Sequence, residues 1–95
     1  TLYADCSDED LALCRLLLTP EPIAASSTPL RLTEQNFGRV PRTYIELLQD
    51  RAVSPALQKR MYTALPCQAV LSINASHSAY FSAPDELTGL LLALR

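Results

Sequence analysis

The order of segments in the second half of the chain is the feature that most constrains its fold. Residues 43–48 are β-branched, aromatic and apolar and predict a buried strand, and residues 69–73 predict a second one. A helical pattern begins between them at Ser54 and Pro55, and another begins at Pro84. Strand, helix, strand and helix in this order predict a right-handed crossover between parallel strands. Because parallel strands need strand neighbours and a helix layer on each face, we predict an α/β fold of which these two strands are only part.

The predicted helices differ in how many of their faces are apolar. Ser7 is typical of a helix N-cap, and leucines lie on most sides of the helix that follows as far as Pro20. We therefore expect this helix to be covered on more than one face. The helix between the two strands is apolar on one side, which its spacing assigns to Leu57, Met61, Ala64 and Leu65. The polar residues Gln58, Lys59 and Arg60 are predicted to face away from that side.

The last predicted helix has a regularly spaced apolar face, whereas the segment from residue 19 to residue 42 is predicted to be irregular. The last helix has leucines on one face at helical spacing, namely Leu87, Leu90, Leu91 and Leu94. Gly89 costs this helix about 1 kcal/mol relative to alanine, so its presence predicts close packing at that point. Residues 19–42 contain four prolines and predict an irregular chain.

Charge, hydropathy and cysteine count exclude several classes of protein. The net charge is −2, so there is no basic surplus to neutralise a nucleic acid, and no apolar run reaches the roughly 20 residues of a membrane helix. The chain has three cysteines, an odd number that argues against a disulfide framework. Unpaired cysteines are typical of a reducing compartment, so we expect the protein in the cytoplasm. The cysteines lack metal-binding spacing and there is one histidine, so we expect no zinc site. We expect no nucleic acid, membrane or metal as a partner.

Two polar residues follow the predicted strands at the edge where ligands bind in parallel sheets. Asp50 comes two residues after the first strand, and His77 comes four residues after the second. If the strands are neighbours, about 4.8 Å apart, a carboxylate and an imidazole can meet there and form two members of a nucleophilic triad. The alternative is a turn aspartate and a solvated histidine, and the spacing alone leaves both open. Ser54 is better explained as an N-cap than as a nucleophile, and the chain has no G-x-S-x-G motif.

Five groups of short motifs follow one another along nearly the whole chain. They are Leu2-Tyr3 with Cys6-Ser7 and Glu9-Asp10-Leu11-Ala12-Leu13; Phe37-Gly38-Arg39-Val40; Val40-Pro41-Arg42-Thr43-Tyr44-Ile45; Gln49-Asp50-Arg51-Ala52-Val53-Ser54-Pro55 with Gln58-Lys59-Arg60-Met61; and Asn74-Ala75-Ser76-His77 with Pro84 and Glu86-Leu87. In this order they resemble the C-terminal third of an α/β-hydrolase, in the branch that contains plant methylesterases, hydroxynitrile lyases and related bacterial esterases.

The resemblance implies a fold and assigns the catalytic residues to different parts of the enzyme. It implies a C-terminal fragment of an α/β-hydrolase fold, with parallel strands, flanking helices and part of a helical cap. Residues 1–40 would be the end of the cap or lid domain, and residues 41–95 the C-terminal part of the core. It also implies that Asp50 and His77 are the acid and base of a Ser-His-Asp triad in a carboxylic ester hydrolase. The serine and the oxyanion hole would lie in the N-terminal portion of the same enzyme.

The resemblance also implies a substrate pocket and a set of partners. The leucine-rich cap helix, including Leu16 and Leu17, would roof an apolar acyl pocket beside Ser78. The expected partners are the N-terminal portion of the enzyme and a small hydrophobic ester, with a homodimer as a further option, and no cofactor is expected.

Position 78 separates the activities of this branch. The hydroxynitrile lyases of the branch have a lysine directly after the catalytic histidine, whereas this chain has Ser78. A neutral hydroxyl cannot offset the charge of a developing cyanide, so we expect ester hydrolysis rather than cyanohydrin cleavage. Two alternatives remain at the level of sequence: a receptor for small hydrophobic molecules on the same fold, and a small stand-alone interaction domain.

Overall fold

The computed structural model describes residues 1–94, and Arg95, the last residue of the predicted core segment, lies outside the described residues. The elements in chain order are α1 (Asp8–Leu17), α2 (Ile23–Ser27), a 3-10 turn (Phe37–Arg39), β1 (Thr43–Leu47), α3 (Pro55–Ala64), β2 (Ala69–Ile73), α4 (Ala79–Ser82) and α5 (Pro84–Ala93). The predicted strand, helix, strand and helix of the second half are confirmed. The short helices α2 and α4 were not indicated by the sequence pattern.

The two strands form a parallel pair, as the order of the elements predicts. Thr43 lies opposite Ala69 at one end of the ladder, and Leu47 lies opposite Ile73 at the other. Backbone pairing continues past the strands, since the Gln49 N–H donates to the Ala75 carbonyl at 3.0 Å. The loops after β1 and β2 are therefore held side by side at the carboxyl edge of the sheet.

Serine side chains cap the first turns of α1 and α3. The Ser7 hydroxyl accepts a hydrogen bond from the Asp10 N–H at 3.1 Å and begins α1. The Ser54 hydroxyl accepts from the Leu57 N–H at 3.3 Å and begins α3, with Pro55 at its first position. Both serines satisfy backbone donors that have no partner within the helix, so the predicted N-caps are confirmed.

The core lies where β2 and the loop after it meet α4 and α5. Ile73, Ala75 and Ala79 are buried, and the partly buried residues packed against them are Ile45, Leu47, Ala83, Leu87 and Leu90. The face of α5 is thus confirmed in part, because Leu91 and Leu94 remain exposed. Gly89 does not mark close packing within residues 1–94, since a Cβ added there would meet nothing within 4 Å.

The face that α3 turns toward the sheet differs from the prediction. Gln58 is 2% exposed and Tyr62 is half-buried, whereas Leu57 and Met61 are exposed. Tyr62 donates a hydrogen bond to the Glu46 carboxylate on β1 at 3.3 Å. The prediction that Gln58 faces away from the apolar side of the helix is wrong. Helical spacing places polar side chains in solvent, but a buried amide is tolerated when its polar atoms are hydrogen-bonded, as those of Gln58 are.

The leucines of α1 are not covered on several faces within residues 1–94. Cys14 is the buried residue of this helix, and Leu16 is 83% exposed. The chain has an accessible surface of 7505 Å², against about 5,400 Å² for a compact monomer of this mass. Its Cα radius of gyration is 15.3 Å, against about 12 Å for a compact domain of this length. The buried apolar residues of the cluster lie in the second half, but both halves expose large apolar side chains. Within residues 1–94, no helix is long and apolar enough to span a membrane.

Candidate active site

Asp50 and His77 meet at the carboxyl edge of the parallel pair. The His77 Nδ1 lies 2.9 Å from the Asp50 Oδ2, within hydrogen-bond distance. The two residues are 27 positions apart in sequence, and the ladder between β1 and β2 brings their loops together. The structure therefore contains the contact that the strand ends predict.

The Asp50 carboxylate is buried and is held by its own loop. Asp50 is 6% exposed, and its Oδ1 accepts hydrogen bonds from the backbone N–H of Ala52 at 2.8 Å and of Val53 at 2.9 Å. This is the turn that aspartate favours, in which the side chain bonds to the backbone two and three residues later. One oxygen is thus fixed by the backbone, which leaves the other for His77.

The same contacts determine the ionisation of Asp50. Burial by itself would raise the pKa of this carboxyl, because it disfavours the charged form. The hydrogen bonds from His77, Val53 and Ala52 oppose it and together lower the pKa of Asp50 below its ordinary value. Asp50 is therefore a carboxylate at neutral pH, with hydrogen-bond donors at both oxygens.

An ionised Asp50 determines the tautomer of His77. A carboxylate only accepts hydrogen bonds, so the neutral imidazole must carry its proton on Nδ1. The Nε2 atom then has a free lone pair and can take a proton from another group. The His77 side chain is 35% exposed, whereas that of Asp50 is almost fully buried. A buried carboxylate that bonds to an accessible imidazole can serve as the orienting acid and the base of a triad.

Gln58 of α3 is a site residue that the sequence reasoning missed. Its Nε2 donates to the carbonyls of Leu47 at 2.9 Å and Val53 at 2.8 Å, and its Oε1 accepts from the Leu47 N–H at 2.9 Å. The side chain thus joins the end of β1 to the turn that holds Asp50. A usable signal was the polar line formed by Ser54, Gln58 and Tyr62, which are spaced four residues apart and share one helix face.

The histidine loop is held by residues from the start of the chain. The Asp5 carboxylate accepts a hydrogen bond from the Ser76 N–H at 2.7 Å, next to His77 in sequence. The Ser78 hydroxyl donates to the Leu2 carbonyl at 2.8 Å on the other side of His77. The buried Ser76 hydroxyl has no hydrogen-bond partner among residues 1–94. Sequence reasoning gave no sign of these tethers, because they join segments at opposite ends of the chain.

The structure does not bring the three predicted pocket residues together around an open cavity. Ser78 is 1% exposed, and its hydroxyl is engaged with Leu2. Leu16 and Leu17 are largely exposed on α1, so within residues 1–94 they form no pocket wall. Their contribution to a pocket stays a prediction. In the part of the chain described, no three acidic, histidine or cysteine side chains are grouped so as to hold a metal ion.

Comparisons with known proteins point in one direction. No family model matches the chain. Methylesterase 17 of Arabidopsis thaliana is 36% identical over 95 residues, covering 96% of this chain and 34% of the relative. Pheophorbidase of Raphanus sativus is 33% identical over 92 residues, covering 95% of this chain and 35% of the relative.

A solved structure gives the same result for the fold. The crystal structure of polyneuridine aldehyde esterase superposes with a TM-score of 0.90 at 25% identity, covering 99% of this chain and 38% of the other. The chain spans between 20% and 37% of the length of the curated relatives it matches.

Proposed function

Because the chain belongs to the methylesterase branch of the α/β-hydrolases, we propose that it supplies the acid and base of a serine carboxylic ester hydrolase. The relatives that support this proposal are named methylesterases and esterases. The observation that carries it is the 2.9 Å hydrogen bond between His77 Nδ1 and the buried Asp50 carboxylate. This pair is the orienting acid and base of a Ser-His-Asp triad.

The proposed reaction assigns one proton path to His77. Its Nε2 takes the proton of the serine hydroxyl as the serine attacks the ester carbonyl, and an acyl-enzyme forms. His77 then gives that proton to the leaving alcohol and later activates water in the same way. Asp50 stays ionised throughout, keeps the proton on Nδ1 and stabilises the imidazolium.

The nucleophile and the oxyanion hole belong, in this proposal, to polypeptide outside these 95 residues. Three observations support that assignment. The chain covers 38% of the esterase it superposes on, its surface exceeds that of a compact monomer, and the Ser76 hydroxyl beside His77 is buried without a partner in the described residues. Further strands of the sheet and the rest of the cap would cover the exposed leucines of α1 and complete the pocket of Leu16 and Leu17.

Ester turnover against cyanohydrin cleavage tests the proposal. The intact polypeptide that carries this segment, as it is made in its cell, is given a short-chain nitrophenyl ester and, separately, mandelonitrile. We expect hydrolysis of the ester and no cleavage of mandelonitrile, because position 78 offers a buried hydroxyl and no cation. Mandelonitrile cleavage as fast as ester hydrolysis contradicts the proposal, and so does binding of the ester without turnover.

A further inference from the structure

We infer that Gln58 is the positioning residue of Asp50, acting through the backbone of the turn that holds the carboxylate. The inference rests on the proposed function, because it assigns a role within that site. Among residues 1–94, the side chain of Gln58 is hydrogen-bonded to neither Asp50 nor His77, but to the backbone of Leu47 and Val53.

The path from Gln58 to the carboxylate is short and continuous. Gln58 Nε2 holds the Val53 carbonyl at 2.8 Å, and the Val53 N–H holds Asp50 Oδ1 at 2.9 Å. The same Nε2 and the Oε1 hold both backbone groups of Leu47, three residues before Asp50. The amide thereby fixes the chain on both sides of Asp50.

The amide group matches the hydrogen-bonding needs of this position. A primary amide has two donors and an acceptor, and here both donors and the acceptor meet backbone partners in a site that is 2% exposed. Methionine has nearly the same length but offers no donor. A side chain kept only for packing would not need this set of bonds.

The sheet itself does not hold the turn. Ladder pairing with the second loop ends at the bond from the Gln49 N–H to the Ala75 carbonyl. Beyond it, no strand of residues 1–94 lies beside Asp50 and the three residues after it. Gln58 supplies from α3 the constraint that a neighbouring strand supplies elsewhere in the sheet.

The test uses the intact polypeptide with Gln58→Met, and with Gln68→Met as the matched control. Gln68 is exposed, and within residues 1–94 only its backbone N–H is hydrogen-bonded, to the Arg42 carbonyl. We expect Gln58→Met to lower kcat by roughly 10- to 100-fold with KM little changed, as for other residues that orient a catalytic group. Gln68→Met should match the unaltered protein.

A second readout separates positioning from mere stability. The carboxyl pKa of Asp50 is followed by ¹³C NMR titration, and the downfield His77 Nδ1–H resonance by proton NMR. In Gln58→Met we expect the pKa of Asp50 to rise, because the turn releases its hydrogen bonds, and the His77 resonance to weaken or vanish. Gln58→Asn keeps two donors and an acceptor on a shorter side chain and should show the same changes to a smaller degree, which serves if Gln58→Met does not fold.

The outcomes distinguish this inference from the proposed function. If the folded Gln58 variants keep kcat, the Asp50 titration and the His77 resonance of the unaltered protein, the inference is overturned. If the unaltered protein hydrolyses no ester, the proposed function fails, while the NMR readouts still decide whether Gln58 positions Asp50.

Discussion

The two loops that form the site are built in different ways. In the loop after β1, the Asp50 carboxylate and the Gln58 amide bond to backbone groups no more than 11 positions away. Gln49 joins this loop to Ala75 and Asn74 of the loop after β2. The loop after β2 is held by Asp5 and Leu2, which are 71 and 76 positions from their partners. Within residues 1–94, the Asp50 turn is thus held mainly by residues near it in sequence, and the His77 loop also by residues from the start of the chain.

This difference indicates which disturbances reach each residue. We expect a change at Gln58 of α3 to reach Asp50 through the turn, and a shift of the segment before α1 to reach the two residues that flank His77. The segment from Leu2 to Asp5 leads directly into α1, so the contacts of the His77 loop with this segment place that loop next to the first helix in the chain.

The largest effect is expected from changing the two side chains themselves. Asp50→Asn keeps an oxygen for the Ala52 and Val53 N–H groups but permits the wrong imidazole tautomer, so kcat should fall on the order of 10⁴-fold. His77→Ala removes the base and should cost on the order of 10⁶-fold. Steady-state hydrolysis of a nitrophenyl ester by the intact polypeptide measures both, with Asp85→Asn on the exposed first turn of α5 as control. Equal activity of Asp50→Asn and the control would contradict the proposal that the Asp50 carboxylate orients His77.

A smaller effect is expected from the distant tether of the histidine loop. Asp5→Ala removes the acceptor of the Ser76 N–H. It should raise the activation free energy by about 1 kcal/mol, which lowers kcat about fivefold. The effect is modest because Asp5 is exposed and water can replace its carboxylate. Asp5→Asn retains an acceptor oxygen and should stay close to the unaltered protein. Equal losses in the two variants would show that the charge of Asp5, and not its tether to Ser76, matters.

The sequence predicted the two site residues better than the contacts that hold them. Asp50 and His77 follow from strand ends in a parallel pair, and Ser54 and Pro55 mark α3 by cap chemistry. The tethers from Asp5 and Leu2 could not be predicted, because a hydrogen bond between residues more than 70 positions apart depends on the tertiary fold. Gln58 was placed on the wrong face, because apolar spacing assumes that a helix buries its leucines first. In α3 the side chains toward the sheet are polar and satisfied, while Leu57 and Met61 stay exposed.

The loss of folding stability at low pH should depend on the ionisation of Asp50. Burial opposes ionisation, but the hydrogen bonds lower the pKa of Asp50 below its ordinary 3.8, so the carboxylate stabilises the folded state. This stabilisation is present above the ordinary pKa and is lost as the pH falls through the folded-state pKa. Urea unfolding of the intact polypeptide between about pH 5 and about pH 2 should show a steeper loss of stability than in Asp50→Asn. Parallel losses in the two proteins would contradict the role of the carboxylate in holding its loop.

The smallest effect is expected in α5, away from both loops. A Cβ at Gly89 meets nothing within 4 Å in residues 1–94, so Gly89→Ala should stabilise the helix by about 1 kcal/mol. A thermal melt of the intact polypeptide should rise by about 2–4 °C without a change in kcat. A lower melting temperature would instead show that polypeptide outside these residues packs closely against Gly89, as the sequence suggested.

The central claim is that His77 is the base for a serine that these 95 residues do not contain. The most direct measurement is a crystal structure of the intact polypeptide after reaction with an alkyl fluorophosphonate. We expect phosphorus on the Oγ of one serine outside residues 1–95, with His77 Nε2 about 2.6–3.2 Å from that Oγ and Nδ1 still bonded to Asp50. An adduct on a serine remote from His77, or an Nε2 that faces no hydroxyl, would contradict the account.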